Sequence, residues 1–346
     1  MQGNKYVAIL LTLTIMIGLS CVFPSPAVSE EKIIKWNLNV WGGPRAWTKP
    51  MERWAADMAK YTDGKWQIKI HYGAVLSPAK EALDGIKSGM FEASGMCNAY
   101  APNKLPLHRV LELPFLPPTE TIHIQLMQHA MWEHPALKKE LLRWNAVPLL
   151  PAGLPTYHLM GNKALRSVSD FDGTRIRIGG DIAKVLKEFG AVPTLVPAPE
   201  VYETISRGTI DLVGLPYTYA LGSYKIWEVS KYLNIPLTLG TMSCPVLASK
   251  TAWDALPDEF KKIHKVWYDL APYMWAEEYA KADRKWIPIF KKNQEFIEFP
   301  ASEREKIVAK AQAVYDEWVE EMEKKGLPGR EVLNYYLEKR KEIAGY

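Results

Sequence analysis

Residues 86–96 read I-K-S-G-M-F-E-A-S-G-M, and residues 205–215 read I-S-R-G-T-I-D-L-V-G-L. The two segments align without a gap. Ile86/Ile205, Gly89/Gly208 and Gly95/Gly214 are identical, and most other positions match in character. Each copy reads as a helix end, a glycine turn and a short strand carrying one acid. Such a repeat predicts two similarly built lobes in series, and 346 residues suit about two domains at roughly 150 residues each.

The flanking pattern gives the fold class. Ile34, Trp36, Leu38 and Val40 alternate with polar residues as in a half-buried strand, and Trp66, Ile68, Ile70 and Tyr72 do so again. Between them, Trp47, Met51, Trp54, Ala55 and Met58 follow at helical spacing, ended by Asp63-Gly64. Ser77 is read as a cap and Pro78 as the opening residue of the next helix. A short strand is expected near Phe91–Met96. Strands alternating with helices define an α/β protein with mostly parallel sheets. Helix-rich segments are expected at about 121–144, 257–293 and 302–325, the long middle one as a brace across both lobes.

Ligands in open α/β sheets sit beyond the carboxyl ends of the strands. The first copy is followed by Cys97-Asn98-Ala99-Tyr100 and the second by Pro216-Tyr217-Thr218-Tyr219. Two such ends facing each other would form a cleft between lobes.

Hydrophobic residues at 48% and charged residues at 24% exclude a disordered chain. A net charge of +4 is too weak for a nucleic-acid partner, which needs a clearly basic face. Lys5, the apolar run from Val7 to Val22 and the small-residue pattern Ala27-Val28-Ser29 have the three parts of a secretory signal. Residues 1–29 are therefore expected to be removed near Ser29-Glu30, with a retained N-terminal anchor as the alternative. Beyond residue 29 the chain carries Cys97 and Cys244. Inert buried thiols are expected, with a single bridge as the other possibility.

No G-x-S-x-G elbow, Walker loop, G-x-G-x-x-G, C-x-x-C or H-E-x-x-H occurs. His123, His129, Glu133 and His134 cluster on one expected helix, but two neighbouring ligands fall short of the three or four that zinc takes. That face is expected to be solvated. No metal and no cofactor are expected. In Arg175-Ile176-Arg177-Ile178, the isoleucines face one way and the arginines the other. Arg177 stands at the strand's end before Gly179-Gly180 and a helix that Asp181 could cap. A guanidinium there can hold a carboxylate through two parallel bonds, or both arginines can pair with surface acids; position alone leaves both open.

The run R-I-R-I-G-G followed by residues 191–216 resembles the solute-binding subunits of tripartite ATP-independent periplasmic (TRAP) transporters, the DctP-like family. So do T-D-G-K-W-Q-I-K-I-H-Y-G-A-V-L (62–76), I-K-S-G-M-F-E-A (86–93), L-E-L-P-F-L-P-P (111–118) and L-A-S-K-T-A-W-D-A-L-P (247–257). The resemblance implies a two-lobed, type II-like periplasmic binding protein with hinge strands and a long bracing helix. Lobe I would comprise 30–152 and 241–280, and lobe II 153–240 and 281–346, with hinges near 152 and 241. It implies a periplasmic, non-enzymatic receptor, expected to be monomeric, that closes on a small organic anion and delivers it to a small and a large membrane subunit.

The family places one arginine on the ligand's carboxylate, and the matching residue is Arg177. Leu215 stands where members often carry a ligand-contacting Asn. Tyr157 aligns with a second Arg of sialic-acid binders, and Thr241 with a metal-holding Glu of keto-acid binders. Sugar acids and a bound cation become less expected, and a monocarboxylate with an apolar or aromatic body more so. The expected ligand-binding set is Trp41, Asn98, Tyr100, Tyr157, Arg177, Leu215, Tyr217 and Thr241, with Ser243 near a hinge. Each ring could instead pack in a lobe core. A sulfonate ligand, or a stand-alone sensing protein, is the alternative; an exported hydrolase would need a nucleophile–base pair that the sequence lacks.

Overall fold

The computed structural model describes residues 33–346. The expected signal segment, residues 1–29, lies outside them. The alternating strands form as the pattern requires. β1 (Ile34–Asn39) and β2 (Trp66–His71) pair in parallel, joined by α1 (Lys49–Tyr61). One face of α1 carries Met51, Trp54 and Met58 into the core, where the Trp54 and Trp66 rings meet edge-to-face at 5.7 Å. Burying an aromatic side chain of this size contributes about 1.5–3 kcal/mol.

The repeat is structural. Helices α2 (Ala82–Ser88) and α6 (Val201–Ser206) each lead into a glycine with positive φ, +75° at Gly89 and +67° at Gly208. Each then enters a short strand, β3 (Ala93–Gly95) or β8 (Leu212–Pro216), that lies inside a sheet. A side chain at either glycine would strain the turn that aims the strand.

The first sheet has the order β2-β1-β3-β10-β4, with β4 at Ala146–Leu150 and β10 at Val246–Ser249. The second has the order β11-β9-β5-β8-β6-β7. It comprises β5 (Tyr157–Gly161), β6 (Arg175–Arg177), β7 (Val192–Thr194), β8, β9 (Tyr232–Ile235) and β11 (Glu295–Glu298). The sheets are mixed rather than simply parallel. β10 runs antiparallel to both its neighbours, and so does β5. These are the strands that follow each crossing from one sheet to the other.

The two crossing segments pair with each other. Leu154 N–H donates to the Met242 carbonyl at 3.0 Å, Cys244 N–H to Ala152 at 2.9 Å, and Tyr157 N–H to Gly240 at 2.9 Å. The hinges expected near 152 and 241 fall in this ribbon. Thr241 lies within it, its hydroxyl turned onto the Leu154 carbonyl. Backbone pairing accounts for that hydroxyl.

Helix α3 (Thr121–Trp132) breaks before α4 (Pro135–Leu142), because Pro135 cannot donate within a continuous helix and His134 caps the new start. The histidine face is only partly solvated: Glu133 is exposed, His123 and His129 are half-buried and His134 is buried. His129 packs on Tyr268 with ring centroids 4.6 Å apart, and Glu133 accepts from the Tyr268 hydroxyl. Both contacts come from α9, the long brace (Asp258–Asn293) that follows the short α8 (Lys250–Asp254). Trp275 of α9 donates to the Trp47 carbonyl in the first lobe, while Trp286 lies against Gly222 in the second.

The C-terminal helices α10 (Ala301–Ala309) and α11 (Ala311–Lys324) pack on the second lobe, with α11 against α5 (Gly180–Lys187). The last helix, α12 (Gly329–Ala344), instead packs on α3, and Arg340 donates to the Leu116 carbonyl at 3.0 Å. The tail expected wholly in lobe II thus returns to the first lobe.

Two capping expectations differ from the structure. Pro78 itself precedes a short turn at Ala79–Glu81 before α2, so Ser77 does not cap that helix. Gly179 holds the N-cap of α5, and Asp181 faces Arg109 instead.

Candidate functional site

Arg177 ends β6 and is 3% exposed. Nε and Nη2 donate to the Val196 carbonyl at 3.0 and 2.8 Å, and Nη1 donates to Gly214 at 3.1 Å. Three of five N–H groups are used, and one remains on each of Nη1 and Nη2. No carboxylate among the described residues pairs with it. Arg175, two residues earlier, is exposed and pairs with Asp211. Of the pairings left open by the sequence, the surface one holds for Arg175, while Arg177 is buried on backbone carbonyls.

Arg177 faces a small cavity of about 30 Å³ between the lobes. The second lobe contributes Tyr157, Leu215, Tyr219 and Tyr224, with Ala198. The first lobe contributes Trp41, Arg45 and Tyr100, and the hinge Leu154. This volume holds a water-sized molecule, so a ring-bearing acid requires the walls to part. They are joined across the cleft by the Ala198 N–H, which donates to the Tyr100 hydroxyl at 3.0 Å. A recess of about 550 Å³ lies beside the cavity and shares Trp41. Its walls are the Gly73–Lys80 and Leu195–Glu200 loops of opposite lobes.

Five of the eight expected residues meet here: Trp41, Tyr100, Tyr157, Arg177 and Leu215. Tyr217 does not; its ring packs on His158 at 5.1 Å and toward Phe290 at 6.4 Å. Thr241 is held in the hinge, and Asn98 lies behind the wall beside the Glu112 carboxyl. Ser243 N–H donates to Glu112 at 2.9 Å, and its hydroxyl to Gln128 at 2.7 Å. Sequence reasoning missed Arg45, Tyr219 and Tyr224. Tyr219 stood in the quoted segment after β8 and opens the short helix α7 (Tyr219–Ser223).

Cys97 and Cys244 also line the cavity, and they are joined in a disulfide. The expectation of two thiols is thus corrected. The pairing follows from β3 lying antiparallel to β10, with Asn98 N–H donating to Ser243 and Met96 N–H to Pro245, which sets the two cysteines opposite each other.

The cavity is rich in donors. Burial holds the Tyr157 hydroxyl well above its ordinary pKa, against the opposing pull of Arg177. Burial also raises Tyr219 and Tyr224. All three stay neutral and able to donate. Burial, reinforced by Asp181, pushes Glu112 up to about 8 against the Ser243 N–H bond. The acid behind the wall is therefore protonated near neutral pH. Among the described residues no group of three His, Cys, Asp or Glu side chains could hold a metal ion, and no helix is long and apolar enough to cross a membrane.

The model of bacterial extracellular solute-binding proteins, family 7 (DctP), matches residues 39–322. The chain belongs to that family, a family of solute receptors. It is 26% identical over 242 residues to a monocarboxylate 2-oxoacid-binding periplasmic protein of Nostoc sp., an alignment spanning 65% of this chain and 64% of that protein. The fold matches a TRAP periplasmic solute-binding protein from Bordetella bronchiseptica with bound (R)- and (S)-mandelate. The TM-score is 0.78 and the identity 24%, covering 90% of this chain and 99% of that one. It also matches a TRAP solute-binding protein from Rhodoferax ferrireducens in complex with copurified benzoate. There the TM-score is 0.79 and the identity 21%, with the same coverage. The two-lobed architecture is that of TRAP periplasmic binding proteins.

Proposed function

We propose that this protein is an exported TRAP receptor that closes its lobes on a small organic acid and presents it to the small and large membrane subunits. The observation that carries this reading is Arg177, buried to 3% with only carbonyl partners among the described residues. A buried cation without an acid is costly, and a ligand carboxylate on its two remaining N–H groups offsets that cost with charge-assisted bonds. Trp41, Tyr100, Tyr157 and Leu215 supply walls suited to an apolar or aromatic body. The benzoate and mandelate held by fold relatives support such a body.

Closure is a population shift, because the anion binds the joined lobes better than the parted ones. The lobes would be residues 30–152 with 241–280, and 153–240 with most of 281–346. The periplasm is the site of action, after cleavage near Ser29-Glu30. Thermal-shift screening of organic acids against the purified protein tests this. A ligand at 100 times its Kd adds about 2.7 kcal/mol, so small carboxylates should raise Tm by degrees. A panel of carboxylates and sulfonates that leaves Tm unmoved would overturn the reading.

A further inference from the structure

A second recess, of about 400 Å³, lies away from the cleft and shares no lining residue with the cavity at Arg177. Its size falls within the range of small-molecule pockets, about 300–1,000 Å³. One side is a stripe of the brace helix α9. Lys261, His264, Lys265 and Tyr268 stand at i, i+3, i+4 and i+7, the spacing that puts side chains on one helix face. The edge strand β4 supplies Ala146, Val147 and Pro148, α4 supplies Leu142, and α8 supplies Trp253.

The lining is largely apolar and aromatic. Trp253 and His264 meet edge-to-face with ring centroids 5.0 Å apart. His264 is buried, and its Nδ1 accepts from Trp54 Nε1–H at 3.1 Å. Burial lowers its pKa to about 3, so the ring stays neutral. Tyr268 is packed on His129, and its hydroxyl is used by Glu133. Leu142 is half exposed and leaves an apolar edge open to solvent.

Charge around the recess is uneven, with Lys138, Lys261 and Lys265 against Glu133. Lys138 and the Tyr268 hydroxyl both engage Glu133, and Lys265 takes both oxygens of Asp269 at 2.5 Å. Lys261 is held more loosely. Its Nζ reaches the Asp254 carbonyl and one Asp258 oxygen at 3.3 Å each, and the Asp258 side chain is 89% exposed. So open an ion pair is worth little, and Lys261 can exchange it for an anion in the recess.

We infer that this recess is a second binding site, separate from the cleft, for a planar aromatic ring carrying one anionic group. The ring would lie among Trp253, Leu142 and Pro148, with the anionic group on the Lys261 ammonium. A ring among rings and aliphatic walls gains from both area and pairing geometry, and a lysine supplies the compact charge at one end.

Calorimetric titration with indole-3-acetate and its neutral analogue indole-3-acetamide tests this, in Arg177→Ala protein so that the cleft is weakened. Indole-3-acetate should still bind at millimolar concentration or below. Adding Leu142→Glu, which sets a like charge at an exposed edge of the recess, should weaken that binding at least tenfold, and so should adding Trp253→Ala. Lys261→Gln should weaken the acetate at least threefold and leave the amide within twofold. Leu142→Glu keeps the test open should Trp253→Ala lose the fold. Absence of binding to Arg177→Ala overturns the inference. So does binding that Leu142→Glu leaves within twofold, or equal weakening of acetate and amide by Lys261→Gln. Failure of the cleft assignment looks different: the acid that most raises the wild-type Tm would bind Arg177→Ala as it binds wild type, whatever stands at 142.

Discussion

Two regions of this molecule bury arginines, and they treat them in opposite ways. Beside the hinge, Arg109 is 8% exposed and meets Asp181 through three bonds between 2.8 and 3.1 Å, with Glu321 at 2.7 Å. In the cleft, Arg177 and Arg45 are buried as deeply but meet carbonyls and rings. Burial alone therefore does not distinguish a structural arginine from one proposed to bind ligand. What distinguishes them is whether the protein supplies the counter-charge. Arg109 ties the first lobe's 107–112 turn to α5 of the second, and its electrostatics are spent on the fold. The cleft arginines are held in position with donors left over.

Removing each group should sharpen this contrast. Arg109→Ala leaves Asp181 buried beside half-exposed Lys184, 3.1 Å away. Breaking a buried pair costs about 3–5 kcal/mol, and Lys184 places this case near the lower end. Denaturant unfolding should lose about 3 kcal/mol while ligand affinity per folded molecule stays near wild type. A loss in affinity with unchanged stability would reverse the two roles.

Glu112 gives a pH test of the same buried hinge. Its folded pKa of about 8 lies above the ordinary 4.5, so between these values the native state holds a proton that the unfolded chain has lost. That contribution is fully present below about pH 4.5 and falls away as pH rises through 8. Glu112→Gln should flatten the decline of Tm between pH 5 and 8; an unchanged slope would assign the decline to other groups.

A smaller effect is expected from Tyr100→Phe. It removes the lobe-to-lobe bond to Ala198 N–H, worth about 1 kcal/mol, and so about fivefold in affinity. Unfolding should barely change. Unaltered affinity would mean that this bond is absent from the ligand-bound state.

Much of the frame was legible because it rests on periodicity. The alternation at 34–40 and 66–72 and the repeated glycine turns at Gly89 and Gly208 report local geometry directly. So does the long helix, expected at 257–293 and found at Asp258–Asn293. Arg177 could be placed at a strand end from the pattern, but its reading as a ligand anchor came from the family resemblance, since position alone left it open. The remainder depends on contacts far apart in sequence. Arg45 lies in a Gly-Gly-Pro loop with no period to aim it. Tyr224 follows a short helix, and the Cys97–Cys244 bond joins residues 147 apart. Tyr217 shows the limit of symmetry: the two repeat ends match in backbone, yet its ring enters a lobe core.

Arg177, buried without an acid partner among the described residues, is proposed as the ligand's anchor. The most direct test is calorimetric titration of Arg177→Ala with the acid that most raises the wild-type Tm. Loss of a buried charge partner costs about 2–5 kcal/mol, so affinity should fall at least about 30-fold while the variant melts near wild type. Affinity within threefold of wild type would contradict the account.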